Sequence, residues 1–233
     1  MTETRRKGAM VLCGAMMLGI LCGCAGKQPK CAFAVEEKVT AQKDGNTLKF
    51  PYELPDSGLV VEELISYQGL FWEDKSGEAV ENVAAIMLYN PTDRLIEFGS
   101  VHLKQADSTL SFFVYQLPPQ SRCLIAEMER KNYPETGITA CCTGPIRWDY
   151  PEFSREQVDY LGFGPRLTII NRDSRQQKHI AVWYKKYEKQ KEYYLGGTAY
   201  CEHFHDLPSK ERITVKSKYY DASDCRIVSI RLE

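Results

Sequence analysis

From Gly58 onward the chain alternates short apolar runs with polar turns at the spacing of β-strands. Val60, Glu62, Leu64 and Ser66 interleave with Val61, Glu63, Ile65 and Tyr67, and Trp72 to Gly77 supply a turn-rich connection. Val83 to Tyr89 is a short, nearly continuous apolar run, which suits a central strand of a sandwich. Asn90-Pro91-Thr92-Asp93 reads as a turn, because Asn and Asp cap it and Pro fixes φ. Strands are expected over Leu95–Leu103, Leu110–Tyr115 and Arg122–Met128. A second series follows over Arg166–Ile170, Ile180–Tyr187, Glu192–Glu202, Arg212–Ser217 and Cys225–Leu232. Between Lys131 and Gln157 the pattern lapses around Pro134, Pro145 and Pro151, and this stretch is read as an inter-domain connector that partly packs.

The two series repeat one another in order. An apolar strand leads into an Asn turn twice, at Asn90 and at Asn171. Each is followed by an alternating strand, then by Leu-Pro (Leu117-Pro118 and Leu207-Pro208), then by a further strand. Two copies of a β unit of roughly 75 residues are the economical account, each a small antiparallel sandwich. The pattern resembles the immunoglobulin-like modules of bacterial envelope proteins, the FxLYD type above all. That resemblance implies a non-catalytic interaction or spacer role. The expected fold class is therefore all-β, with two tandem immunoglobulin-like sandwiches at 46–130 and 158–233 joined by a connector at 131–157.

The N-terminus has a different pattern. Arg5, Arg6 and Lys7 precede an uncharged apolar run from Ala9 to Leu21. That run is shorter than the roughly 20 residues a membrane-spanning helix needs, and it suits the core of a signal peptide. It ends in Leu21-Cys22-Gly23-Cys24, which resembles the lipobox of bacterial lipoproteins, with Cys22 in place of the commoner Ala, Ser or Thr. The resemblance implies a signal peptide at 1–23, cleavage before Cys24 and a diacylglycerol on its thiol. Buried acyl chains contribute about 0.8 kcal/mol per methylene, so two of them hold a protein on a membrane stably. Residues 24–45 are polar and read as a tether.

Composition narrows the function. The whole chain has 30 basic and 31 acidic residues, and removing Arg5, Arg6, Lys7 and Glu3 leaves 27 and 30. With that balance in an exported protein, nucleic acid is not an expected partner. Charge is uneven: Gly58–Arg130 holds 5 basic and 11 acidic residues, Val158–Glu233 holds 14 and 10. Such asymmetry can orient two domains or steer a partner. Beyond Cys24, the cysteines are Cys31, Cys123, Cys141, Cys142, Cys201 and Cys225. They allow either disulfides or free thiols, and Cys201 with Cys225 is the pair to test first.

Four groups carry candidate chemistry. Cys201, His203 and His205 would share one side of a strand and are plausible zinc or copper ligands, although surface polarity beside a turn explains the same residues. Lys185–Tyr194 is a basic, Tyr-rich hairpin that could touch anionic polymer or lipid, against the plainer reading of a solvated tip. Trp72, Trp148 and Trp183 could stack on glycan or pack in cores. Cys141 or Cys142 with His102 or His179 would be the only nucleophile–base pair, and no local motif supports it. No sequence signature of a hydrolase, metalloprotease or nucleotide-binding loop is present. The expectation is a non-enzymatic lipoprotein without cofactor, on the extracytoplasmic face of a membrane, binding or supporting an envelope protein or wall polymer. The runner-up is an accessory binder of metal or glycan, and a third reading is an envelope hydrolase.

Overall fold

The described residues (47–106, 108–151 and 156–232 of a computed structural model) form β-strands and no helix. In chain order the strands are β1 (Tyr52–Glu53), β2 (Val60–Leu70), β3 (Ala79–Asn90), β4 (Leu95–Gln105), β5 (Ser108–Leu117), β6 (Ser121–Ala126), β7 (Ala140–Thr143) and β8 (Arg147–Asp149). They continue as β9 (Val158–Phe163), β10 (Arg166–Asn171), β11 (Gln177–Glu188), β12 (Tyr193–Leu207), β13 (Arg212–Lys216) and β14 (Cys225–Leu232).

The apolar patterning follows from which faces are covered. Along β3, Ala84, Ile86 and Leu88 enter one buried cluster, while Val83 and Ala85 enter another on the opposite face. A strand packed on both faces needs apolar residues at every position, and that produces the run Val83–Tyr89. β6 behaves alike, with Cys123 and Ile125 on one side and Leu124 and Ala126 on the other. By contrast, only alternate residues of β10, Leu167 and Ile169, join a core.

Strand pairing repeats between the halves. β2 and β6 flank β3 antiparallel, as β9 and β13 flank β10. β5 pairs one side of β4 while β7 and β8 pair the other, just as β12 and β14 enclose β11. Equivalent side chains hold the turns. Asn90 Nδ2 donates to the carbonyls of Arg94, Leu117 and Pro118 at 2.8, 3.4 and 3.0 Å. Asn171 Nδ2 donates to those of Arg175, Leu207 and Pro208 at 2.8, 3.1 and 2.9 Å. Non-glycine residues take positive φ at matching places, Gln116 and Asp206 before the leucine and Gln120 and Lys210 after it.

Two features depart from the sequence expectation. The stretch 131–157 is more than a connector, since β7 and β8 add to the sheet of β4 and β5, and Lys131 and Tyr133 bond the backbone of β3. The halves are also not separate beads. β6 pairs in parallel with β12, Cys123 against Tyr194 and Leu124 against Leu195, which makes one seven-stranded sheet in the order β1-β2-β3-β6-β12-β11-β14. The cluster inside the first half accordingly takes in Tyr187, Tyr194 and Val228 from the second.

Buried charges fasten this seam. Alternation along β11 sets Lys185 on the face opposite Tyr184, beside a register shift against β12 between Tyr184 and Lys186. Its ammonium, fully buried, donates to the carbonyls of Tyr115, Gly196, Gly197 and Thr198 at 2.9, 3.1, 2.9 and 2.9 Å. Glu73 accepts from Ala126 N–H at 2.9 Å and Gly197 N–H at 2.7 Å. Burial pushes its carboxyl from the ordinary 4.5 up to about 7, although those bonds and Lys185 oppose the shift. Beside them, burial pushes the Cys123 thiol up to about 12, and its Sγ–H points at the Gly196 carbonyl. Glycine is required at 197 because a Cβ there would collide with the Phe113 carbonyl.

Candidate interaction surface

The three-stranded sheet β13-β10-β9 has one dry face and one open face. Leu167 and Ile169 of β10 and Val158 of β9 point inward onto Ile180, Val182 and Phe204. The intervening residues point out, and cross-strand register sets them in rows: Phe163, Arg166 and Lys216; Leu161, Thr168 and Thr214; Asp159, Ile170 and Arg212.

Phe163 is 83% exposed and Leu161 57%, while Ile213, at the rim of the inner side, is 37% exposed. Phe163 and Leu161, on the open face, are two of the six large exposed hydrophobic residues among the described residues. Arg166, Arg212 and Lys216 stand around them, all exposed. Asp159 is engaged by Arg172 at 3.0 Å, so the face keeps a positive field. Thr168 and Thr214 share a hydrogen bond at 2.8 Å, which ties β10 to β13 in the middle row. In the first half the equivalent face is covered: Phe71 and Trp72, with Tyr193 and Leu195, bury Val83 and Ala85. Among the described residues, the open face thus belongs to the second half alone.

The candidates read from the sequence fall as follows. Cys201, His203 and His205 do share one side of β12, and the register adds His179 of β11, opposite His205. His179 Nε2 and His203 Nδ1 are 2.9 Å apart with near-parallel rings, and the His205 ring lies 4.8 Å from that of His179. Cys201 instead faces Trp183. No group of three His, Cys, Asp or Glu among the described residues is arranged to hold a metal ion.

Cys201 and Cys225 lie on strands that flank β11 on opposite sides, Cys201 level with Trp183 and Cys225 level with Lys186. Two strand spacings of about 4.8 Å already exceed the roughly 7 Å limit between Cα atoms for a disulfide, so pairing them requires the sheet to come apart. Cys24 and Cys31 lie outside the described residues.

Cys142 of β7 is the cross-strand neighbour of His102, the juxtaposition a nucleophile–base pair would need. Both ring nitrogens of His102 are engaged by serine hydroxyls, Nδ1 by Ser111 at 3.1 Å and Nε2 by Ser100 at 3.2 Å. The Cys141 thiol is pushed up to about 12 by burial. The basic hairpin is not a solvated tip along its length: Lys185, Tyr187, Tyr193 and Tyr194 are buried, and Lys186 bonds Asp224 at 2.8 Å. Trp148 and Trp183 pack against one buried cluster and Trp72 against another, so they form no common platform.

Sequence reasoning missed both the open face and the buried Glu73–Lys185 seam. Leu161, Gly162 and Phe163, three consecutive exposed residues in β9, carried the signal for the first. Compared with known proteins, the chain matches no family model, no curated protein and no solved structure.

Proposed function

We propose that this chain is an exported lipoprotein, held by a diacylglycerol on Cys24 at the extracytoplasmic face of a membrane. It carries two tandem immunoglobulin-like modules fused edge to edge, and it acts by binding another envelope component, without catalysis or cofactor. The observation that carries the binding role is the face of Leu161 and Phe163 set among Arg166, Arg212 and Lys216. Apolar side chains grouped on an open sheet and rimmed by charge mark an interaction site more often than a bare surface. The lipobox-like Leu21-Cys22-Gly23-Cys24 and the tether at 24–45 support the address, and the matched Asn90 and Asn171 turns support the tandem modules.

The address is tested by labelling cells with a clickable palmitate analogue and fractionating them. The wild-type protein is expected to carry label and to stay with membranes in high salt. Cys24→Ser is expected to lose the label and either leave the membrane or remain unprocessed. A labelled, membrane-bound Cys24→Ser variant would overturn the anchor.

A second reading, an accessory role in binding a zinc or copper ion at the exposed histidines His179, His203 and His205, rests on their residue type alone, since their rings stack on one another and do not converge on a metal position. Equilibrium dialysis with Zn²⁺ or Cu²⁺ decides it. Equal binding by wild type and the double variant His203→Ala/His205→Ala removes that reading.

A further inference from the structure

The backbone of β13 carries information beyond the open face beside it. Asn171 N–H donates to the Glu211 carbonyl at 2.9 Å, and Ser217 N–H donates to the Pro165 carbonyl at 3.0 Å. Those two bonds fix the phase of the antiparallel ladder. Ile170 with Arg212, Thr168 with Thr214 and Arg166 with Lys216 are its non-hydrogen-bonded pairs. The N–H and C=O groups of Arg212, Thr214 and Lys216 therefore point away from β10, along the outer edge of the sheet. No strand pairs with that edge among the described residues.

The internal repeat shows what such an edge does in this fold. β13 occupies the place in the second half that β6 occupies in the first, each following a Leu-Pro turn locked by a buried Asn. The outer edge of β6 is filled by β12. The outer edge of β13 offers the same row of donors and acceptors on its side away from β10, while Phe163 and Leu161 stand on β9 at the other edge of the same sheet.

Charge then selects the occupant. The edge strand projects Arg212 and Lys216 onto the open face with Thr214 between them, and Arg166 stands beside Lys216. A second copy of β13 laid antiparallel and centred on Thr214 would set Arg212 against Lys216 twice over, and like charges directly opposite one another destabilise a sheet. The other candidate within a second copy, the β12-like strand β5, has its own outer edge engaged. Its Thr109, Ser111 and Tyr115 carbonyls accept from Lys131, Met128 and Lys185. Self-association by either route is disfavoured, and an acidic strand is favoured.

We propose, building on the binding role above, that β13 is a strand-acceptor edge. It takes an extended acidic segment of a partner polypeptide as a fourth strand of the sheet, with carboxylates four residues apart set against Arg212 and Lys216. Main-chain bonds to Arg212, Thr214 and Lys216 supply the register, and the two ion pairs supply the choice of sequence.

The test titrates the full chain with the nonapeptide Thr-Val-Glu-Val-Thr-Val-Glu-Val-Thr and with its Lys-for-Glu counterpart, while amide exchange is followed residue by residue. The acidic peptide is expected to bind at least tenfold more tightly. It should slow exchange at the amides of 212, 214 and 216, while 213 and 215, already bonded to β10, stay unchanged. Reversing Arg212 and Lys216 together to Glu is expected to invert the peptide preference. Thr214→Pro is expected to abolish binding, since proline is tolerated on an edge strand where its nitrogen faces solvent. Should that variant fail to fold, the charge reversal decides alone. Equal affinity for the two peptides, no preference change on reversal, or protection elsewhere overturns the proposal. If a photo-crosslinker at 163 captures a partner in cells and the Arg212/Lys216 reversal leaves capture intact, the strand-acceptor edge is wrong while the binding role stands. No capture from 163 removes the binding role itself.

Discussion

Lys185 Nζ on β11 lies 2.9 Å from the carbonyl oxygen of Tyr115 on β5, a charged hydrogen bond that crosses between the two halves. The same ammonium holds three carbonyls of the Gly196–Thr198 segment, so one side chain ties the edge of one β unit to the interior of the other. Lys185→Met keeps most of the volume and leaves those acceptors unmet, which costs about 1–3 kcal/mol. Lys185→Ala adds a cavity and is expected to cost about 3–5 kcal/mol. Urea denaturation reads both. A Lys185→Met variant as stable as wild type would show that the ammonium is not a fastener.

The partner carboxylate gives this seam a pH dependence. Glu73 titrates near 7 in the folded protein against an ordinary 4.5, so the folded state holds its proton longer than the unfolded chain does. Its contribution to stability is therefore complete below pH 4.5 and falls away as the pH rises to about 7, above which it is flat. A shift of that size corresponds to about 3 kcal/mol at most. Asp221, which Ser223 holds below the ordinary carboxylate range, titrates beneath this window and does not mask it. Denaturation midpoints at pH 5 and pH 8, at fixed ionic strength, are expected to fall with pH in wild type. Glu73→Gln, which carries no titrating proton, is expected to lose that fall, leaving the opposite contribution of Lys185, whose ammonium burial holds below the ordinary lysine range. A wild-type midpoint that rises across the interval contradicts the assignment.

Asn90 and Asn171 should respond alike to substitution. Each amide satisfies three carbonyls that converge on a Leu-Pro turn, and alanine leaves all three without that donor. A loss of about 2–3 kcal/mol is expected for either alanine variant. Aspartate, which has no N–H to give, should do no better. Equal losses at both sites are what a repeated turn requires, and a loss at one site alone would make the resemblance coincidental.

These comparisons show where the sequence was legible. The Asn and Leu-Pro turns could be read because turn chemistry acts between residues close in the chain or at a recognisable offset. The all-β character could be read because side chains alternate with period two. The seam could not. Parallel pairing of Cys123 and Leu124 with Tyr194 and Leu195 leaves no local pattern, since either strand alone looks like an edge. Lys185 sits in a run of charged residues and reads as solvated, yet its face of β11 is covered by β5 of the first half. Glu73 lies in a segment that reads as an exposed turn. His179 joins His203 and His205 only through cross-strand register, which the sequence does not state.

The claim that this chain binds through the open sheet of its second half is tested most directly by site-specific photo-crosslinking in intact cells. A benzoyl-phenylalanine in place of Phe163, and another in place of Leu161, should each yield the same discrete adduct with an envelope protein. Glu81, exposed on β3, serves as the control and should yield none. An adduct from 163 and 161 with a silent control is the expected result. No adduct from either position, or the same adduct from Glu81, would contradict the account.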